Sequence, residues 1–394
     1  MSWAGASPVL PEARCARVGW YIQRVVLGLL GLVMLCTSGV VSEGSLLRVG
    51  CAGALPLSSC SGDSGPVELP RRADYLRARQ MAWAWLDQLE VDPIELARHE
   101  VKGKKKLAEI LEAYVSLYRS TADRASRRRI EQRVFDLAAH TRRPEYHDML
   151  ENSESAFLQN SMSYLRVLWL LECIGQDTTF YRQHVLAMKE RLDAHIPKRG
   201  IWQQAMFAEY YDRFGLQRPA GLLPDALSQG LIARRVPLAQ YQNQKHLSYQ
   251  LTHEIFVVFD YGLKASQSYF AADDVAYIYA TVTALVQASM AQRDDDILAE
   301  LLRCMAYFGW RNDPLYWQGN AYLLDHQNAD GTWGNYESLR QARVPYVEQR
   351  VYLHTTLVAL QALLETYETA RVLASSVPLS AEMSEDGYGL RRSN

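Results

Sequence analysis

The chain has 394 residues, 48% of them hydrophobic, with 42 basic and 44 acidic side chains and a formal net charge of −2. The apolar share is ample for a core, and the length fits one large domain or two ordinary ones. The balanced charge lacks the basic excess of nucleic-acid binders, so no nucleic-acid partner is expected.

Arg14, Arg17 and Arg24 precede the uncharged run VVLGLLGLVMLCTSGVV at 25–41. A basic flank before an apolar run marks residues 1–41 as a signal peptide or signal anchor. The run lies at the short edge of a membrane span. Its positive flank predicts an inside N-terminus and an outside body. The expected location is periplasmic or extracellular, with residues 25–41 as an inner-membrane anchor where they are not cleaved. That segment is the only membrane contact expected.

Residues 42–70 read as a flexible linker, within which Cys51 and Cys60 are placed to pair if exported. Helical patterns then follow near 72–89, 93–119, 122–140, 155–175, 178–195, 199–214, 221–233, 246–263, 270–291, 294–309, 314–327 and 346–373. No stretch alternates long enough for a strand. Residues 71–375 are therefore expected to be a single all-α domain of paired helices, and 376–394 a disordered tail. GKKK at 103–106 and RASRRR at 124–129 read as solvated helix faces. RDDDILAE at 293–300 reads as an N-terminal cap with acids suited to the helix dipole. Cys173 and Cys304 fall in apolar helical patterns as small buried hydrophobes.

LLDHQNADGTWG at 323–334 precedes YLHTTLVALQALLE at 352–365. Gln327 is suited to bond backbone at a helix end, Asp330 and Gly331 to make a tight turn, and Trp333 to cover the hairpin. The segment resembles the Q-x-x-D-G-x-W repeat of the α/α-toroid superfamily of terpenoid cyclases and protein prenyltransferase β-subunits, here in an exported bacterial branch. The resemblance implies an (α/α) toroid, complete or partial, in which such loops stitch outer helices to inner ones. It carries His354 onto an inner helix. The upstream stretch 337–352 has no Cys to complete a prenyltransferase zinc set.

Candidate chemistry falls on polar stripes. Tyr249, His253, Phe256 and Asp260 follow i, i+4, i+7 and i+11, one face of a helix. Arg350, His354, Val358 and Gln361 repeat the arrangement, with Tyr346 and Glu348 just upstream. Arg166 stands inside a strongly apolar helix. Two such helices facing a central hollow would place His253, Asp260 and His354 as catalytic groups, with Tyr249, Arg350, Arg166, Tyr346 and Glu348 binding substrate. The expected function is a lyase or hydrolase acting on a saccharide or glycan in the central cavity, and the expected partner is a glycan or small-molecule ligand. One alternative is a non-catalytic glycan- or peptide-binding scaffold. Another is a zinc enzyme using His253 and His354 with Asp260 or Glu348. No H-E-x-x-H motif is present, no metal ligands are assigned beyond that alternative, and no cofactor is specified.

Overall fold

A computed structural model describes residues 69–97, 102–219, 226–262, 269–344 and 346–368. The signal or anchor segment, the linker up to residue 68, the Cys51–Cys60 pairing and the tail at 376–394 lie outside them. Among the described residues all regular elements are helical, so the fold class is all-α, as expected. No described helix is long and apolar enough to cross a membrane.

The helices are α1 (Arg72–Asp87), α2 (Pro93–Ala97), α3 (Gly103–Ser120), α4 (Arg124–Ala138) and α5 (Glu154–Cys173). Next come α6 (Thr179–Ala187), α7 (Lys189–His195), α8 (Ile201–Phe214), α9 (Leu238–Asn243) and α10 (Lys245–Val258). The last are α11 (Ala272–Gln292), α12 (Asp295–Tyr307), α13 (Pro314–Asp325), α14 (Glu337–Gln341) and α15 (Leu353–Tyr367). Local chemistry sets several of their ends. Asp123 and Ser153 cap α4 and α5 by accepting from the Ser126 and Ala156 amides at 2.7 and 3.3 Å. Asp313 caps α13, with Pro314 in the first turn where its missing N–H costs nothing.

Six helices pack in a cycle. α3 lies against α5, α5 against α8, α8 against α10, α10 against α12, α12 against α15, and α15 against α3. The others lie beside them: α4 on α3, α6 on α5, α9 on α10, α11 and α13 on α12, and α1 on α15. Burial varies widely among the helices. Every residue of α12 from Asp295 to Ala306 is buried, and α3 and α15 are buried nearly all round. By contrast, α11 buries only Ile278, Thr281, Val282, Leu285, Val286 and Ser289, the single stripe of a surface helix. Each fully enclosed Leu of α12, such as Leu298 and Leu301, contributes about 1.5–3 kcal/mol over the exposed side chain.

Some expected boundaries shift. The helix expected at 93–119 is two helices, α2 and α3. The one expected at 178–195 divides into α6 and α7 at Met188. The one expected at 221–233 is, within its described part, only a 3-10 turn at Leu227–Gln229. The helix expected over 346–373 begins as a π-helical turn at Glu348–Tyr352 and becomes α-helical at Leu353. GKKK is not a solvated face. Lys104 is fully buried, where its ammonium donates to Leu96 O at 2.8 Å and pairs with Asp148 at 2.7 Å. Lys106 is buried against Glu95 at 3.0 Å, and only Lys105 reaches solvent. Cys304 is buried and Cys173 half-buried, both as free thiols.

The loop between α13 and α15 has the structural role expected of it. Gln327 Nε2 donates to Ala78 O on α1 at 2.8 Å and to Gly331 O at 3.0 Å. Asp330 Oδ1 accepts from the Thr332 amide and hydroxyl at 3.1 and 2.7 Å. Gly331 has φ 94°, in the left-handed range. Trp333 is fully buried, and its Nε1–H donates to Leu323 O at 2.7 Å. With the Trp333 amide donating to the Thr356 hydroxyl at 3.2 Å, these bonds tie α1, α13 and the first turns of α15 together.

Candidate functional site

The N-terminal halves of α3, α12 and α15 and the middle of α10 come together around a cluster of charged side chains. From α12 come Asp296 and Glu300, one helical turn apart and both buried. His354 lies in the first turn of α15. Its Nδ1–H donates to Glu109 Oε1 of α3 at 3.0 Å. Its Nε2 faces Asp296 Oδ1 and Glu300 Oε1, each at 3.6 Å. His253 of α10 stands on the other side of Glu300, with Nδ1 at 3.7 Å from Oε2. That Nδ1–H donates to Tyr249 O at 2.7 Å, which leaves Nε2 as the basic nitrogen. The Trp202 ring packs at 4.4 Å from the His253 ring. The Tyr249 hydroxyl donates to Asp296 Oδ2 and the Thr252 hydroxyl to Glu300 Oε2.

The electrostatics follow from this crowding. Burial works against a charge on His354, but Asp296, Glu109 and Glu300 outweigh it and push its pKa up to about 10. Burial pulls His253 below the ordinary imidazole value, against the pull of Glu300. Burial raises Asp296, with Glu300 adding to the effect and His354 opposing it. Glu300 falls below the usual carboxylate value, since the two histidines overcome its burial. The cluster thus holds neighbouring groups with opposed proton affinities.

Of the residues selected from sequence, the structure brings His253, His354 and Tyr249 to this cluster. It does not bring Asp260. α10 stops at Val258, and Asp260 and Tyr261 turn into left-handed backbone at φ 49° and 53°, so the expected helical face ends before Asp260. Asp260 instead forms an ion pair with Arg213, beyond the C-terminal end of α10. There Trp169, Met206, Tyr210, Arg213, Asp260 and Tyr261 line a pocket with about 20 Å³ of room for solvent. Arg166 is paired with Glu112 and lies 5.3 Å over the Tyr261 ring. Glu112 also accepts from Gln361 at 3.0 Å, and Gln361 accepts from Arg303 at 2.7 Å. Arg166, expected to bind substrate, is thus part of an internal chain running through Glu112 and Gln361 to Arg303. Glu348 is held by Arg340 at 2.7 and 2.8 Å, so neither it nor Asp260 joins the histidines as the zinc alternative required. Tyr346 has left-handed backbone, φ 58°, ahead of the π-helical turn. The side chain of Arg350 lies outside the described residues.

The sequence reading passed over Asp296, Glu300, Lys105 and Glu109. Asp296 and Glu300 stand at i and i+4 on one face of a helix buried along almost its whole length, a signal of a buried polar cluster. The preceding Asp294 does cap the helix, accepting from the Ile297 amide at 3.4 Å, which masked that signal. Glu254 is turned away as expected; it accepts from the Leu231 and Ile232 amides at 2.9 and 3.3 Å.

A family model described as a domain of unknown function (DUF6895) matches residues 75–364. No curated protein and no solved structure matches the chain. The match runs from α1 into α15 and takes in the whole charged cluster, so the chain belongs to the DUF6895 family.

Proposed function

We propose that the protein is an exported α/α-toroid enzyme, a hydrolase or lyase, whose centre is the charged cluster between α3, α10, α12 and α15. The cyclic packing of six helices, with further helices beside them, supports the toroid. One observation carries the enzymatic reading: Glu300 stands between His253 and His354, at 3.7 and 3.6 Å. The carboxylate and the Tyr249 carbonyl hold Nδ1–H of His253 and present Nε2 as a general base. A saccharide is the substrate class proposed, since an aromatic ring, Trp202, lies beside His253 and near carboxylates able to accept from hydroxyls.

A second reading, a non-catalytic binding or scaffold barrel, is favoured by one feature. The Arg166–Glu112 and Arg303–Glu365 pairs join α3 to α5 and α12 to α15, so charged side chains between these helices hold the cycle together instead of facing a ligand.

Incubating the full-length chain with neutral and acidic glycans, while following reducing ends and unsaturated products, separates the two. The enzyme reading expects turnover that His253→Ala abolishes while the melting temperature stays close to wild type. Wild-type inactivity on every glycan removes the saccharide assignment. Full activity in His253→Ala removes the centre.

A further inference from the structure

We propose that Asp296, Glu300 and His354 bind one divalent transition-metal ion, zinc or manganese, at the N-terminal end of α12. The ion would be the cofactor of the site described above, and the inference rests on that reading only for what the ion serves.

Each of the three side chains has one polar atom held by a neighbour and another turned to a common point. His354 gives its Nδ1–H to Glu109 at 3.0 Å and points Nε2 inward. Asp296 receives the Tyr249 hydroxyl on Oδ2 and points Oδ1 inward. Glu300 receives the Thr252 hydroxyl on Oε2 and points Oε1 inward. The inward atoms of Asp296 and Glu300 are each 3.6 Å from His354 Nε2, and one ligand atom from each of the three residues lies within 4.8 Å of the others. Bonds of about 2.0–2.2 Å place the donors of one ion about 3–4 Å apart, so small side-chain rotations complete the set.

A second observation points the same way. Asp296 is 94% buried, and its inward Oδ1 has no hydrogen-bond partner among the described residues. Beyond the His354 ring edge at 3.6 Å this oxygen faces no donor, which is costly for a buried carboxylate; a metal ion supplies what it lacks, and its binding displaces the Nε2 proton of His354 to solvent. The Glu109–His354 pair has the form by which a carboxylate behind a metal-bound imidazole fixes its tautomer and raises its basicity. One nitrogen with two carboxylate oxygens suits zinc or manganese better than calcium or magnesium, which favour all-oxygen sites. Three protein ligands leave a position for water, whose pKa a bound divalent ion lowers. His253 lies beside the set and is not one of its ligands.

The test is direct binding to the full-length chain, stripped with a chelator, dialysed and titrated calorimetrically with zinc chloride or manganese chloride. One ion per chain is expected, with Asp296→Asn and His354→Gln each weakening binding by at least about tenfold. Asp260→Asn, remote from the site, is expected to bind like wild type. No binding by the wild-type chain overturns the proposal, as does binding that neither ligand variant weakens. Should those variants fail to fold, cobalt(II) titrated into the wild-type chain decides. Visible absorption enhanced over the aqueous ion is expected, and a spectrum identical to the aqueous ion overturns the site. Metal binding without glycan turnover leaves the site standing and removes the saccharide reading; turnover without metal binding does the reverse.

Discussion

Glu109 Oε1 accepts a hydrogen bond from His354 Nδ1 at 3.0 Å, joining α3 to α15 across 245 residues of sequence. The same carboxylate holds the Lys105 ammonium at 3.2 Å. Burial would raise its pKa, but Lys105 and His354 outweigh burial and hold it at about 2. Glu109→Gln keeps the shape and removes the charge that both cations face. Breaking a fully enclosed pair costs about 3–5 kcal/mol; here both cations keep some solvent, so a loss of about 2 kcal/mol is expected. Urea denaturation of the two proteins at pH 7 measures it. A change no larger than that of the exposed Glu337→Gln would mean that the α3–α15 contact stands on apolar packing alone.

The Arg213–Asp260 pair leads to a different expectation. Arg213 also lies 5.1 Å over the Trp169 ring, so the carboxylate fixes a guanidinium that covers an indole. Asn tolerates left-handed backbone nearly as well as Asp. Asp260→Asn should therefore lose only the charge and cost about 1 kcal/mol, as for a partly exposed pair. Metal affinity and any glycan turnover should be unchanged. A variant of normal stability with lost turnover would return Asp260 to the catalytic group.

How much of this was legible beforehand differs from residue to residue. The helical class and the turn chemistry of Gln327–Trp333 follow from period and residue type, because those are local properties; the same spacing singles out His253 and His354, which the structure brings to Glu300. The ends of α10 and the split between α2 and α3 do not. The left-handed turn at Asp260–Tyr261 uses no glycine at either position, and Gly103 is required by a neighbour rather than by its own turn: a Cβ there would meet Glu95 O at 1.9 Å. Lys104 looked solvated because its partner, Asp148, is 44 residues away. Asp296 and Glu300 looked like dipole charges because helix starts attract acids whether or not a cluster lies behind them. What the sequence hides in each case is the distant partner.

Gly331 tests the loop that ties α1 and α13 to the first turns of α15. Its φ of 94° is costly for any L side chain, and a Cβ would stand 2.4 Å from Met81 O and 2.5 Å from Met81 C, both backbone atoms of α1. The strain alone is worth about 1–3 kcal/mol. Gly331→Ala must also push α1 away from the loop, weakening the bond from Gln327 to Ala78 O. The expected loss is about 3 kcal/mol, read as a fall in the thermal midpoint. Hydrogen exchange should quicken in α1 and at the start of α15, while α5 to α8 exchange as before. Uniform acceleration through the whole domain would mean that the loop acts only through global stability.

His147 sets a pH limit on the fold that is independent of the charged cluster. It is buried, its Nε2–H donates to Thr141 O at 2.6 Å, and its Nδ1 accepts from the Tyr164 hydroxyl. The ring stacks at 4.0 Å on His184. Both nitrogens are used by the neutral form, so a second proton must break the bond from Tyr164. Burial is the main cause, with His184 and Lys104 adding to it against the Thr141 bond, and together they lower the pKa to about 4. The unfolded chain takes up this proton near the ordinary value of about 6.5 and the folded chain only near 4, so between those values the unfolded state binds more protons. The contribution to stability is whole above about pH 6.5 and is lost as the pH falls towards 4. Stability of the wild-type chain should therefore fall more steeply from pH 7 to 4.5 than that of His147→Gln, which starts lower but has no proton to gain. Equal slopes for the two proteins in urea denaturation across that range would show that His147 is protonated as readily in the folded chain as in the unfolded one.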